Sequence, residues 1–194
     1  MRKIFLDVGT HNGQTILMAM KRYPNMDAYI GIEPVKKLVT KSMLNIPKGY
    51  EDKVFIYNIA LDAMDVPKKK VTFYEDFTPG NHKLGSSLLP DKTMRKNEKI
   101  IVECVDVNFF FEDNFDDGDD ITMKIDVEGK EYDIFEALIK SGNIKYVSKI
   151  FAEWHWNKVA SISQERHRDI VFALRDLGYP LKGKSKVDEF YAGF

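Results

Sequence analysis

Apolar runs and amphipathic runs alternate along this chain. Ile4, Phe5, Leu6 and Val8 form a short run of the kind that a strand covered on both faces requires, and apolar stretches recur near 28–32, 53–59, 120–127 and 146–154. Between and after them, the segments near 12–23, 35–44, 130–141 and 163–177 carry apolar residues at helical spacing. In the third of these, Ile134, Phe135, Leu138 and Ile139 share a face, and Gly142 suits a C-terminal cap. In the fourth, Ile170, Val171, Leu174 and Leu177 form the stripe, Ser161 or Ser163 can cap the start, and Gly178 with Pro180 stops the helix. Residues 187–194 read as a closing strand. Strand-helix alternation of this kind predicts an α/β domain, a parallel sheet covered by helices on both faces.

The regular alternation lapses over about 63–118. Residues 70–75 and 99–105 read as the two strands of a hairpin, and Lys68, Lys69 and Lys70 as a solvated turn beside Pro67. Between the hairpin strands lies a long polar stretch, 78–98, punctuated by Gly and Pro, which reads as a lid over a substrate. His82 and Lys83 read as solvated, and Leu88 and Leu89 as the residues that anchor the stretch on the core.

Chemistry first appears where the opening strand ends. Asp7-Val8-Gly9-Thr10-His11-Asn12-Gly13 reads as a strand breaking into a glycine turn that opens a helix. The pattern differs from the G-x-G-x-x-G fingerprint that cradles a pyrophosphate, which points to a nucleotide cofactor with less phosphate to hold. Glu33 follows the second strand, twenty positions beyond Gly13, where a doubly wound fold places the carboxylate that binds ribose hydroxyls. Asp7 is suited to fixing the turn by accepting backbone N–H bonds.

The remaining candidates lie after later strands, because ligands of open α/β sheets bind beyond the strands' carboxyl ends. They are Asn58, Ala60 and Asp62, then the run Lys124-Ile125-Asp126-Val127-Glu128-Gly129, then Glu153-Trp154-His155-Trp156. Ile121, Met123, Ile125 and Val127 alternate, which turns Lys124 and Asp126 to the opposite face or toward the strand end. Charges in so apolar a strand need partners or a function; a buried ion pair made by Lys124 is the first alternative, a reactive site the second.

Composition narrows the class. With 194 residues the chain suits one domain, 1–194, carrying the hairpin and lid as an insertion at about 63–118. Hydrophobic residues make up 44% and charged residues 30%, ordinary for a soluble protein, and no apolar run reaches the roughly 20 residues of a membrane span. Met1-Arg2-Lys3 leads straight into the first strand, so no signal peptide and a cytoplasmic location are expected. Cys104 is the sole cysteine, a small core residue by expectation. The 29 basic and 30 acidic residues leave a net charge of −1, too little to attract a polyanion, so a nucleic-acid partner is not expected.

D-V-G-T-H-N-G at 7–13, I-E-P at 32–34, N-I-A-L at 58–61, G-S-S-L at 85–88, and above all K-I-D-V-E-G-K-E at 124–131 with the downstream E-x-H at 153–155 resemble the FkbM family of S-adenosylmethionine-dependent methyltransferases. The resemblance implies a Rossmann-like class I methyltransferase fold with a mostly parallel seven-stranded sheet, acting on hydroxyls of sugars or glycosylated small molecules. It implies that Asp7, Gly9, Thr10, His11, Asn12, Gly13 and Glu33 surround the cofactor, S-adenosylmethionine, that Asn58 and Ala60 flank its adenine, and that Asp126 lies beside it. Asp126, Glu128, Glu153 and His155 are the catalytic candidates, with His155 the natural base because an imidazole titrates near pH ~6.5 and Glu153 able to orient it. Asp126, Glu153 and His155 are equally candidates to hold a divalent cation, magnesium or manganese, that acidifies the acceptor hydroxyl. Ser86, Ser87 and Trp156 are the acceptor-binding candidates. Two other readings stand beside a small-molecule or glycan acceptor: an RNA ribose 2′-O-methyltransferase, and a non-catalytic module that binds S-adenosylmethionine.

Overall fold

The computed structural model describes residues 1–76, 85–92 and 97–181. The strands are β1 (Lys3–Val8), β2 (Ala28–Ile32), β3 (Val54–Tyr57), β4 (Ala60–Asp62), β5 (Lys68–Asp76), β6 (Asn97–Asp106), β7 (Asp120–Ile125) and β8 (Val147–Ala152). The helices are α1 (Gln14–Arg22), α2 (Lys36–Leu44), α3 (Val107–Asn114), α4 (Glu131–Ser141) and α5 (Gln164–Asp176). All five strands of the main sheet run parallel, in the order β3-β2-β1-β7-β8. The chain therefore steps outward from β1 to β3 and then returns to pair β7 on the other side of β1, which puts the switch point between β1 and β7.

Side-chain alternation on β1 divides the protein. Ile4, Leu6 and Val8 join a core with Ile121, Met123 and Ile125 of β7, Phe110 and Phe111 of α3, Phe135 and Leu138 of α4, and Leu174 of α5. Phe5 points the other way, into a smaller core with Ile16, Ala19 and Met20 of α1 and Phe151 of β8. The expected helices on both faces are thus present, and Gly142 (φ 82°) and Gly178 (φ 94°) take the left-handed conformation where α4 and α5 end. Ser163, not Ser161, caps α5 by accepting from the Arg166 N–H at 3.0 Å. Leu177 lies past the last turn and is exposed.

The expected single seven-stranded sheet is revised among the described residues. β4, β5 and β6 form a separate three-stranded sheet, β4 parallel to β6 and β5 antiparallel to it. The division falls at Asn58, whose side-chain N–H groups donate to the carbonyls of Glu33 (3.0 Å) and Pro34 (2.9 Å) and turn the chain away from β3. The hairpin pairing is as expected, Lys70 opposite Glu103 and Glu75 opposite Glu98, but Lys68, Lys69 and Lys70 are exposed residues of β5 and not a turn. The small sheet packs Phe73, Val102 and the buried Cys104 against Val35 and Ala60. The strand expected at 187–194 lies outside the described residues, as do residues 78–84 and 93–96 of the expected lid, His82 and Lys83 included. No helix among the described residues is long and apolar enough to cross a membrane.

Helix α3 has no counterpart in the sequence expectation, since Val107, Phe109, Phe110 and Phe111 favour strands. Asp106 overrides that preference. Its Oδ1 accepts from the N–H groups of Asn108 and Phe109, each at 3.0 Å, and its Oδ2 from that of Met64 at 2.8 Å. Asp106→Ala is therefore expected to lower stability by about 1–2 kcal/mol, read as a lower urea midpoint with an unchanged slope; an unaltered midpoint would show that the cap contributes nothing.

Candidate active site

The glycine turn after β1 is held from below. Asp7 and Lys124 face each other across the β1–β7 pairing, both buried, with Lys124 Nζ 3.0 Å from Asp7 Oδ1. Lys124 also donates to the carbonyl of Gly9 at 2.9 Å, and the Thr10 hydroxyl donates to Asp7 Oδ2 at 2.6 Å. Asp7 thus supports the turn through a hydroxyl and a lysine, and the turn's own N–H groups, those of Gly9 and Thr10, go to the carbonyl of Ile32 instead. Of the two readings of Lys124, the geometry realises the buried ion pair. Gly9 (φ 85°) cannot be replaced without movement, because a Cβ there would sit 2.0 Å from the Asp126 carbonyl oxygen.

Glu33 closes the adjoining side. Its Oε2 accepts from the N–H of His11 at 3.0 Å and its Oε1 from that of Val35 at 2.8 Å, so one carboxylate spans the glycine turn and the start of α2. Burial pushes its carboxyl up to about 8, against the opposing pull of those two N–H bonds.

At this edge of the sheet a cleft encloses about 670 Å³ of empty space, part of it open to solvent. It brings together five of the residues expected at the cofactor, namely Gly9, His11, Glu33, Ala60 and Asp126, with Glu128 and Ser86. Asp7, Thr10, Asn12, Gly13 and Asn58 do not line it. They hold its walls from outside, Asn12 by accepting from the Gln14 N–H and Gly13 as the left-handed residue before α1. Val35, Leu38, Leu61, Phe73 and Leu88 supply an apolar wall that no sequence motif announced.

Two of the acceptor-binding candidates are placed elsewhere. The buried Ser87 hydroxyl donates to the Glu128 carbonyl at 2.7 Å and accepts from the Leu89 N–H at 3.0 Å, which leaves it no role at the cleft. Trp156 stacks on His167 of α5, ring centroids 5.8 Å apart, away from the cleft. The stretch 85–92 is accordingly a fixed wall. Besides Ser87, the buried Lys92 donates to the Gly85 carbonyl at 2.7 Å and pairs with Glu128, Asp91 accepts from the Ser161 N–H at 2.7 Å, and Leu89 packs so closely on Gly129 that a Cβ there would meet it at 2.7 Å. Lys92 carried no sequence signal, being one lysine among many in a polar stretch.

Behind the cleft lies the third group. His155 is fully buried, its Nδ1 bonded to Glu131 Oε1 at 2.8 Å and its Nε2 3.0 Å from Glu128 Oε2, 3.4 Å from Glu153 Oε1 and 3.8 Å from Asp126 Oδ1. Burial disfavours the imidazolium, yet the bonds to Glu131 and Glu153 outweigh it and raise His155 to about 10. Enclosed by carboxylates alone, the ring favours its protonated form, which disfavours the expected role as general base. The His155 bond holds Glu153 below the usual carboxylate range; desolvation, reinforced by Glu153 and Glu128 and opposed by Lys124, raises Asp126 above it. The turn that carries these groups is strained, with Glu128 at φ 58° before Gly129 at φ 118°.

Residues 7–181 match the methyltransferase FkbM domain. The chain belongs to the FkbM methyltransferase family. Its fold is similar to the crystal structure of methyltransferase FkbM from Methylobacillus flagellatus KT, with a TM-score of 0.50 and 12% identity over 89% of this chain and 37% of that one. This FkbM-family chain therefore spans a little over a third of that protein's length, and a likeness at such identity bears on the fold alone. No curated protein matches the chain.

The raised carboxyl of Glu33 has a consequence for stability. Because its folded pKa lies above the ordinary value of 4.5, its contribution is complete below that pH and is lost as pH rises through about 8. Urea midpoints measured across this range should fall more steeply in the wild type than in Glu33→Gln. Parallel curves would show that Glu33 ionises as an ordinary glutamate.

Proposed function

We propose that this protein is an S-adenosylmethionine-dependent O-methyltransferase acting on a hydroxyl of a sugar or glycosylated small molecule. One observation carries the reading: a single cleft at the carboxyl edge of β1, β2 and β7 joins the glycine turn and Glu33 to the carboxylates of Asp126 and Glu128. The family supports the reaction class, and the cleft suits the cofactor. It is lined by apolar side chains with a few polar groups, as small-molecule sites are, and the left-handed Gly9 leaves backbone where a side chain would intrude. Gly9, His11 and Glu33 would hold the polar parts of S-adenosylmethionine, with Val35, Leu38 and Ala60 against its adenine. When bound, the cofactor supplies an electrophilic methyl group.

The chain's own part is then to orient an acceptor and take its proton. Asp126 lines the cleft on the side away from α2 and is the carboxylate suited to receive the hydroxyl hydrogen, while Glu128, tied to Lys92, holds the wall against which the acceptor lies. Ser86 lines the same wall and accepts from the Asp76 N–H at 2.9 Å, which holds its oxygen in place. Acidic groups on the rim disfavour phosphate, which argues for a sugar over an RNA ribose.

Two outcomes test this. S-adenosylmethionine at ~100 times its dissociation constant should stabilise the protein by roughly 2.7 kcal/mol, and Glu33→Ala should weaken that binding; a thermal shift with NAD and none with S-adenosylmethionine would contradict the assignment. In a labelled-methyl assay over sugars, glycosylated metabolites and RNA, Asp126→Asn should lower kcat by about 10²–10⁴-fold with little change in cofactor affinity. Full turnover in that variant would remove Asp126 from the chemistry, and labelling of RNA alone would move the acceptor class.

A further inference from the structure

Carboxylates crowd the surroundings of His155. Asp7, Asp126, Glu128, Glu131 and Glu153 are gathered around it and its neighbours, and among the described residues the lysines paired with them are Lys124, Lys92 and, at 3.5 Å from Glu153, the half-exposed Lys158. Uncompensated carboxylates in so enclosed a place are costly.

The geometry supplies a second, independent indication. Glu131 Oε1 accepts from the Val127 N–H at 3.0 Å, and both its oxygens accept from that of Gly129, so the carboxylate bonded to His155 Nδ1 is itself immobilised. This fixes the ring and aims Nε2 at Asp126, Glu128 and Glu153. The contacts of Nε2 with these carboxylates are charge contacts without hydrogen-bond alignment, and His155 Nε2 and Asp126 Oδ1 are both buried with no aligned hydrogen-bond partner. An imidazole tied through one nitrogen to a carboxylate, with the other nitrogen directed into oxygen ligands, is the arrangement of a metal-binding histidine. The two separations from Nε2 are close to those of such a site. Ligands at right angles around an ion with bonds of about 2.1 Å lie roughly 3 Å apart, and Nε2 stands 3.4 Å from Glu153 Oε1 and 3.8 Å from Asp126 Oδ1. Asp126, Glu131 and His155 each place a ligand atom within 4.8 Å of the others, but Glu131 is committed to Nδ1 and the two backbone N–H groups. Glu128 is likewise committed, to Lys92.

We propose that Asp126 Oδ1, Glu153 Oε1 and His155 Nε2 bind a divalent cation of the manganese or magnesium class, with the two carboxylates selecting a hard ion. The ion's task rests on the methyl-transfer reading: at the rear of the cleft it would polarise the acceptor hydroxyl, leaving the second oxygen of Asp126 for the proton. Its binding does not depend on that reading.

The test is manganese titration of the full chain, stripped with EDTA and followed by electron paramagnetic resonance of the free ion. One equivalent should be taken up, and magnesium should displace it. Glu153→Gln, at a partly exposed position that leaves the core intact, and Asp126→Asn should each weaken binding by about 10–100-fold, with circular dichroism confirming the fold; Asp117→Asn, at an exposed position, should bind as the wild type does. No uptake, uptake unchanged in both variants, or binding of zinc without manganese would overturn the proposal. The two readings fail separately. Manganese uptake without methyl transfer to any acceptor leaves the ion site standing, and methyl transfer that survives EDTA in a chain that takes up no manganese removes it.

Discussion

The Asp7–Lys124 pair, buried at the switch point of the sheet, is the contact on which the rest of the cleft depends. Placing two charges there is expensive, and a hydrophobic pair of equal volume would serve stability as well or better. What an apolar pair would not do is hold a backbone. Lys124 reaches past Asp7 to the Gly9 carbonyl, Asp7 reaches the Thr10 hydroxyl, and the turn is drawn down onto the strand ends. Once it sits there, Gly9 lies against the Asp126 carbonyl with no room for a side chain, and the backbone N–H of His11 is presented to Glu33. Charges retained for direction in this way account for a lysine in the middle of an otherwise apolar strand.

A second constraint comes from the turn at 126–131. Its strained backbone brings Asp126 and Glu128 to the cleft and Glu131 underneath, where that carboxylate caps the turn's N–H groups and grips His155. The stretch 85–92 is fastened to the same turn through Ser87, Leu89 and Lys92. The small sheet, the cleft wall and the carboxylate cluster are therefore joined through this one turn. The polar stretch expected as a lid is, over 85–92, part of the wall.

The two edges of the cleft differ in chemistry for a structural reason. Toward α2 and the small sheet the wall is apolar, built from Val35, Leu38, Phe73 and Leu88, which suits a flat ring. Toward β7 and β8 it is acidic, because those strands end in Asp126 and Glu153, and Glu128 follows. A ligand spanning both would meet nonpolar contact at one end and proton-accepting oxygens at the other.

Much of this was legible along the chain. Strand-helix alternation, apolar runs, the glycine turn and Glu33 are local patterns, set by covalent geometry and by which faces must be buried, so they established the α/β class, the helix ends and the edge of the sheet where the cleft opens. What the sequence could not settle depends on residues far apart meeting at close range. The base assigned to His155 follows from an isolated imidazole's ordinary pKa, and only the enclosure by Glu131, Glu128 and Glu153 shifts the ring toward its protonated form. Ser87 and Trp156 looked available because their partners, the Glu128 carbonyl and His167, are distant in sequence. Helix α3 was hidden because its aromatic residues favour strands and a single cap decided otherwise. Local pattern determines which elements form; the protonation of a buried group and the partner of a hydroxyl are set by desolvation and by neighbours that the tertiary fold alone brings near.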